Sequence, residues 1–264
     1  MRASICCFLV VLCAALAGCG RGPARPHPVP DPEADVAPPL VIDRRSDAAQ
    51  VRAADVSILF VGNSHTSGHN LPKLVSDMIR FRHPEKTTYS HVVSVAFLED
   101  AARTPACREE IESRPWKFVV LQAQKISVSG KHEYSRAEGI ELAKLAKGRG
   151  ATVHFFCEWG LQGVPDNGPR QEKVYHEMAT EAGARVAAVN RAWDAALAAR
   201  PELPLFEFDG NHQSATGAFL TAAYLYGALS GESPAPLGAF PYDAVSADDR
   251  AFLANAAATA LAKP

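Results

Sequence analysis

The chain has 264 residues, 47% of them hydrophobic and 21% charged, a globular composition that excludes wholesale disorder, a collagen-like repeat and a multi-span membrane protein. The formal net charge is -2, and no Lys/Arg block is long enough to form a stripe for phosphates, so no nucleic-acid partner is expected. Neither G-x-x-x-x-G-K-[ST] nor G-x-G-x-x-G occurs, so both sequence signatures of a phosphate-cradling loop are missing.

The N-terminus reads as an address. Met1 and Arg2 precede an apolar run over residues 5–17, too short at 1.5 Å per residue to cross about 30 Å of hydrocarbon but suited to the core of a secretory signal. The run ends Leu16-Ala17-Gly18-Cys19, which resembles the lipobox of bacterial lipoproteins. That resemblance implies a signal peptide over 1–18, lipidation of Cys19 and a membrane anchor in the bacterial cell envelope. Gly20, where Asp would be the inner-membrane retention cue, points to the outer membrane. The rest of 19–50 carries Pro23, Pro26, Pro28, Pro30, Pro32, Pro38 and Pro39 with few large apolar residues, the composition of an extended tether. One folded domain is expected over 51–264. Cys6, Cys7 and Cys13 leave with the signal, so Cys107 and Cys157 remain in the domain. A disulfide and a pair of buried thiols are both open to them.

Within the domain, residues 56–61, 91–95, 117–121 and 152–156 are short apolar runs that read as buried strands, with a weaker fifth at 185–189. Helical stretches fall at 71–82, 108–113, 135–147, 170–182 and 191–200. A last helix follows residues 209–212, with Ser214 as N-cap and Gly231 past its end. Strands alternating with helices predict an α/β fold: a three-layer α/β/α sandwich around a parallel five-stranded sheet in flavodoxin-like order 2-1-3-4-5. In such sheets chemistry lies beyond the carboxyl ends of the strands. Gly62-Asn63-Ser64-His65 follows the first strand, Gln122-Ala123-Gln124 the third and Glu158-Trp159 the fourth.

A serine hydroxyl needs an imidazole to take its proton and a carboxylate to fix that imidazole's tautomer. Asp209 and His212, three apart before a helix, can supply the second half and Ser64 the first. The blocks Phe60-Val61-Gly62-Asn63-Ser64-His65-Thr66 and Asp209-Gly210-Asn211-His212, in this order with strands between, resemble those of the SGNH (GDSL-like) hydrolases over about residues 56–230. The run Val119-Val120-Leu121-Gln122-Ala123-Gln124 resembles a bacterial branch in which V-L-Q-x-Q stands where G-x-N-D is usual. The resemblance implies Ser64 as nucleophile, His212 as base and Asp209 as its orienter. It implies an oxyanion hole of the Ser64 N–H and the Gln124 side chain, with Gln122 as the alternative. The family's second block also supplies a glycine N–H, but no glycine occurs between Gly68 and Gly130, and an amide near Phe97 is the candidate replacement.

Substrate contacts are expected from His65, Gln122, Glu158 and Trp159, with Trp159 either stacking on a sugar or closing the core. His65 and His69 are spaced i, i+4, but the glutamate of H-E-x-x-H is missing, so no metal site is expected. His154 alternates with apolar neighbours and reads as a core histidine. The resemblance requires no cofactor. It implies a serine esterase of the cell envelope acting on a small-molecule or glycan ester, and the envelope address favours acetyl esters on carbohydrate. The alternatives are a catalytically weakened module that binds envelope polysaccharide or a protein, and an acyltransferase using the same triad.

Overall fold

A computed structural model describes residues 45–263. The expected signal peptide, Cys19 and most of the tether lie outside the described residues. The described structure includes packed residues before the expected boundary at 51. Ser46 is buried, its N–H donating to Glu110 at 3.1 Å. Asp47 then caps helix α1 (Ala48–Ala53), its Oδ1 accepting from the Ala49 and Gln50 N–H groups at 2.8 and 3.2 Å.

Five strands form one parallel sheet: β1 (Val56–Gly62), β2 (Thr88–Ser94), β3 (Phe118–Leu121), β4 (Thr152–Cys157) and β5 (Arg185–Ala188), in order β2-β1-β3-β4-β5. The register places Val61 opposite both Val93 and Leu121, and Gly62 opposite Ser94. The carboxyl ends of β1, β2 and β3 therefore lie side by side. The strands are apolar on both faces because both faces are covered.

Period-2 alternation divides the strand residues between two cores. On one face Ile58, Phe60, Val120 and Phe156 pack against α3 (Leu71–Arg82), α8 (Val189–Ala199), α9 (Ala215–Ser230) and α10 (Ala247–Leu261). On the other, Leu59, Val61, Val119, Leu121 and Phe155 meet α1, α4 (Leu98–Arg103), α5 (Pro105–Ser113), α6 (Ala137–Gly148) and α7 (Asn167–Ala182). The result is the expected three-layer sandwich. Cys107 and Cys157 are free thiols buried in the second core. His154 is buried in β4.

Ser214 caps α9, its Oγ accepting from the Thr216 and Gly217 N–H groups at 3.1 and 3.2 Å, and Gly231 ends the helix at φ 75°. The first turn of α9 approaches its neighbours too closely for a side chain at 217. A Cβ there would collide with the Leu205 carbonyl and lie 2.7 Å from the Trp193 ring. Gly217→Ala is therefore expected to destabilise the fold by about 1–3 kcal/mol through overpacking. Urea unfolding should show a lower midpoint at an unchanged slope; an unchanged midpoint would contradict this packing.

Candidate active site

The chain leaving β1 turns directly into a short helix, α2 (Ser64–Ser67). Asn63 caps it, its Oδ1 accepting from the His65 N–H at 3.0 Å. Ser64 is the first helical residue and is exposed, and among the described residues its N–H has no hydrogen-bond partner, as expected for the open end of a helix. The turn is held from below by Gln122, whose Oε1 accepts from the Asn63 N–H at 3.0 Å and the Thr66 hydroxyl at 2.8 Å. Gly62 leaves room for this: a Cβ there would collide with Thr66 Oγ1 and stand 2.5 Å from Gln122 Oε1.

Asp209 and His212 stand opposite, in the loop before α9. Glu207 N–H donates to the His212 carbonyl at 2.8 Å, and Gly210 turns the chain at φ 68°. Asp209 Oδ1 accepts from the N–H groups of Asn211 and His212, both at 2.9 Å, while Oδ2 lies 2.5 Å from His212 Nδ1. Desolvation raises the Asp209 carboxyl, but the His212 hydrogen bond and the two backbone N–H bonds outweigh it and hold the group at about 2. Asp209 is thus ionised at neutral pH and fixes the proton on Nδ1. Nε2 is left to accept from Ser64 Oγ, 2.7 Å away. Ser64, His212 and Asp209 are therefore brought into one hydrogen-bonded chain.

His65 braces this chain. Its ring stacks on His212 at 5.1 Å and 17°, and meets Trp159 at 5.1 Å and 52°. Its Nε2 lies 3.2 Å from the Asn211 carbonyl. Burial, aided by His212, pushes His65 down to about 4, so a neutral ring packs against the base. Gln213 Nε2 donates to the carbonyls of His65 and Gly68 at 3.2 and 3.3 Å, fastening the two loops together. His69 takes a left-handed φ of 51° and faces Glu207 at 3.3 Å, so His65 and His69 do not share a helical face.

The two glutamines diverge. If V-L-Q-x-Q continued as a strand, residues 122 and 124 would share a face. Instead β3 ends at Leu121 and Ala123 takes φ 76°, a strained conformation for a non-glycine residue. Gln124 Nε2 consequently donates to the Lys125 and Ser135 carbonyls at 3.1 and 2.8 Å. Both its amide protons are engaged away from the serine, unlike the expected oxyanion donor. Gln122, the alternative, supports the turn from beneath. In the second block, the Val95 N–H goes to the Gly62 carbonyl, Phe97 N–H to Asp100 and Leu98 N–H to the Ala123 carbonyl. The Ala96 N–H has no partner among the described residues. Asn63 Nδ2 donates to the Ala96 carbonyl at 3.4 Å, joining the second block to the turn that carries Ser64.

Glu158 and Trp159, expected as substrate contacts, are both buried. Trp159 stacks on Trp193 at 4.0 Å and donates to the Asn211 carbonyl at 2.8 Å, so it closes the core and supports the triad loop. Glu158 accepts from the Tyr175 hydroxyl at 3.0 Å, and that hydroxyl accepts from the Gln124 N–H at 3.1 Å. The Gln122 amide nitrogen is buried without an acceptor at full hydrogen-bond geometry, and the carboxylate it faces is that of Glu158. Tyr175 carries no sequence signal of its role: it reads as an ordinary inward-facing helix residue. Asn211, inside the D-x-x-H block, and Gln213, which follows it, could have been found from that block.

No protein-family profile and no curated protein matches the chain. Among solved structures, it is similar to a DUF4886 family protein from Bacteroides uniformis at 15% identity and TM-score 0.62, over 79% of this chain and 95% of that one. A protein described as a candidate SGNH hydrolase from Slackia heliotrinireducens aligns at 22% identity and TM-score 0.54, over 65% and 97%. A lipase/acylhydrolase from Enterococcus faecalis aligns at 16% and 0.51, over 67% and 96%. The chain has an SGNH/GDSL-like fold.

Burial pushes Glu158 up to about 7 from an ordinary 4.5, against the pull of its own backbone N–H, Tyr175 and Gln122. The folded protein therefore binds a proton that the unfolded chain releases. The resulting stability is fully present below about pH 4.5 and is lost as pH rises through about 7, with a slope of up to about 1.4 kcal/mol per pH unit. Glu158→Gln removes this dependence. Urea unfolding from pH 4.5 to 8 should show the native protein losing stability relative to the variant, and parallel profiles would refute the assignment.

Proposed function

We propose that the chain is a serine hydrolase that cleaves carboxylic esters through Ser64, His212 and Asp209. The observation that carries this reading is the pair of contacts at 2.7 Å from Ser64 Oγ to His212 Nε2 and 2.5 Å from His212 Nδ1 to Asp209 Oδ2, at the carboxyl edge of an SGNH/GDSL-like sheet. As Ser64 Oγ attacks the ester carbonyl, its proton passes to His212 Nε2 and the ionised Asp209 stabilises the imidazolium. His212 then protonates the leaving alcohol, and the acyl group remains on Ser64. Water, deprotonated by His212, attacks this acyl-enzyme and releases the acid. The unpartnered N–H groups of Ser64 and Ala96 are the donors for the oxyanion.

Acetyl esters on carbohydrate are the substrate class that fits an envelope address, which itself rests on the basic start, the apolar run and Leu16-Ala17-Gly18-Cys19. One observation favours a second reading, a weakened module that binds rather than turns over: Gln124 holds backbone carbonyls with both amide protons. Loss of one oxyanion donor raises a barrier by about 2.7–4 kcal/mol.

Fluorophosphonate labelling with peptide mapping tests the reading without choosing a substrate. Ser64 should be the labelled residue, and His212→Ala should abolish labelling. Asp209→Asn should lower turnover of 4-nitrophenyl acetate by about 10⁴-fold by presenting the wrong tautomer. A folded chain that takes no label has no activated serine, and the binding reading then stands. For the address, Cys19→Ser should eliminate incorporation of radiolabelled palmitate in a bacterial host; incorporation that survives the change would place the lipid elsewhere.

A further inference from the structure

Beyond Gln124, the loop leaving β3 wraps a cavity of about 270 Å³ against the side of α7. The loop wall is tied down. Arg170 on α7 donates from Nη1 to the Val128 carbonyl at 2.6 Å and the Ser127 carbonyl at 3.3 Å. Gly130 turns the loop at φ 71°, and a Cβ there would lie 3.0 Å from Arg170 Nε, so glycine makes room for the guanidinium.

The lining is cationic in a chain whose net charge is -2. Lys125, Arg136, Arg170 and Lys173 face it together with the carboxylates of Glu133 and Glu177. Arg136 and Lys173 both pair with Glu177. Among the described residues, neither Lys125 nor Arg170 has a carboxylate within ion-pair distance. Arg170 anchors the loop through a single nitrogen, which leaves the rest of its donor fork available.

The cavity is connected to the turn that carries Ser64 through Lys125. Lys125 Nζ stands between two rings, 5.3 Å from the Phe97 centroid and 4.8 Å from that of Tyr134. Phe97 follows Ala96, whose carbonyl accepts from Asn63 Nδ2, and Asn63 caps the helix that begins with Ser64. A continuous set of contacts thus leads from the serine to the cavity. Two cations without carboxylate partners beside an aromatic ring match an anionic group carried on a sugar, whose apolar face packs on an aromatic and whose charge pairs with Lys and Arg. The volume lies just below the usual range of ligand pockets, consistent with one sugar-sized group.

We propose that this cavity is a subsite for an anionic sugar residue of the substrate, with Lys125 and Arg170 holding the charge and the Tyr134 ring flanking the sugar. As a statement about turnover it rests on the esterase reading; as a statement about binding it does not. The anion could be a uronate carboxylate or a sugar phosphate, which share the same chemistry toward Lys and Arg.

Calorimetry on the folded Ser64→Ala chain tests it, with digalacturonate, glucose 6-phosphate and maltose as probes. At least one anionic probe should bind about tenfold or more tighter than maltose and weaken with added salt, and which one does identifies the anion. Adding Lys125→Met should weaken the binding about tenfold. Lys144→Met, which removes an exposed cation of α6 paired with Glu181 of α7, should not. Equal affinity for maltose, no binding of either anionic probe, or indifference to Lys125→Met overturns the inference. Labelling of Ser64 together with failed binding sinks the subsite and leaves the esterase. Binding without labelling sinks the esterase and leaves the subsite.

Discussion

The hydrogen bond from the Asn63 N–H to the Gln122 side chain is the contact on which the geometry of the site depends. Parallel pairing brings the ends of β1 and β3 together but leaves the chain beyond them undetermined. Gln122 continues the connection past the last strand residues, accepting from the turn at Asn63 and again from Thr66 in the first turn of α2. A glutamine can do this because its side chain is long enough to cross beneath the turn, and Gly62 keeps the crossing clear. The position of Ser64 is thereby set by the sheet, a rigid element, rather than by a surface loop. The same glutamine faces Glu158, buried at the end of β4, so the support extends across three adjacent strands.

On the other side of the serine, the groups around the His212 imidazole are an ionised carboxylate and a neutral ring. Asp209 is ionised because two backbone N–H groups and His212 point at it. This makes it a fixed negative partner for the proton on Nδ1. His65 packs against the same imidazole but stays neutral, since burial and the neighbouring His212 both disfavour its cation. A second cation at 5.1 Å would oppose formation of the His212 imidazolium. A neutral ring supplies packing and orientation without that cost. Trp159 extends the stack into the core through Trp193, so the base is braced by aromatic surface that reaches the interior.

The architecture was legible where period and punctuation agree. Apolar runs over 56–61 and 152–156 ending in turns marked the strands, and Ser214 with Gly231 bracketed α9. Less was visible where packing rather than pattern decides. α10 is rich in alanine and has no sharp apolar stripe, and its identity as a core helix comes from α8 and α9, against which it packs. The weak fifth run divides: its first four residues pair with β4, while Val189 opens α8 with no loop between. In the site, the meeting of Ser64, His212 and Asp209 was legible because a hydroxyl, an imidazole and a carboxylate fell at strand and helix ends. Tyr175 was not, because a tyrosine on the inner face of a helix looks the same whether its hydroxyl meets a buried glutamate or water. Trp159 reads equally as platform or core, and only its burial decides.

The divergence of Gln122 and Gln124 lay beyond any pattern reading, since it turns on one backbone dihedral. With Ala123 in a left-handed conformation, the two side chains leave the chain on different courses, one toward the nucleophile turn and one toward the Lys125–Ser135 loop. A non-glycine residue holds such a conformation only when its surroundings over-determine it. Here the Ala123 carbonyl accepts from the Leu98 N–H, and the residues on either side are anchored by Asn63, Thr66 and Tyr175. The strain at Ala123 thus couples the turn that carries Ser64 to the loop that forms the cationic cavity. Relaxing it would move Lys125 together with Gln124, so the placement of the turn that carries Ser64 and of a cation in the cavity are consequences of the same local geometry.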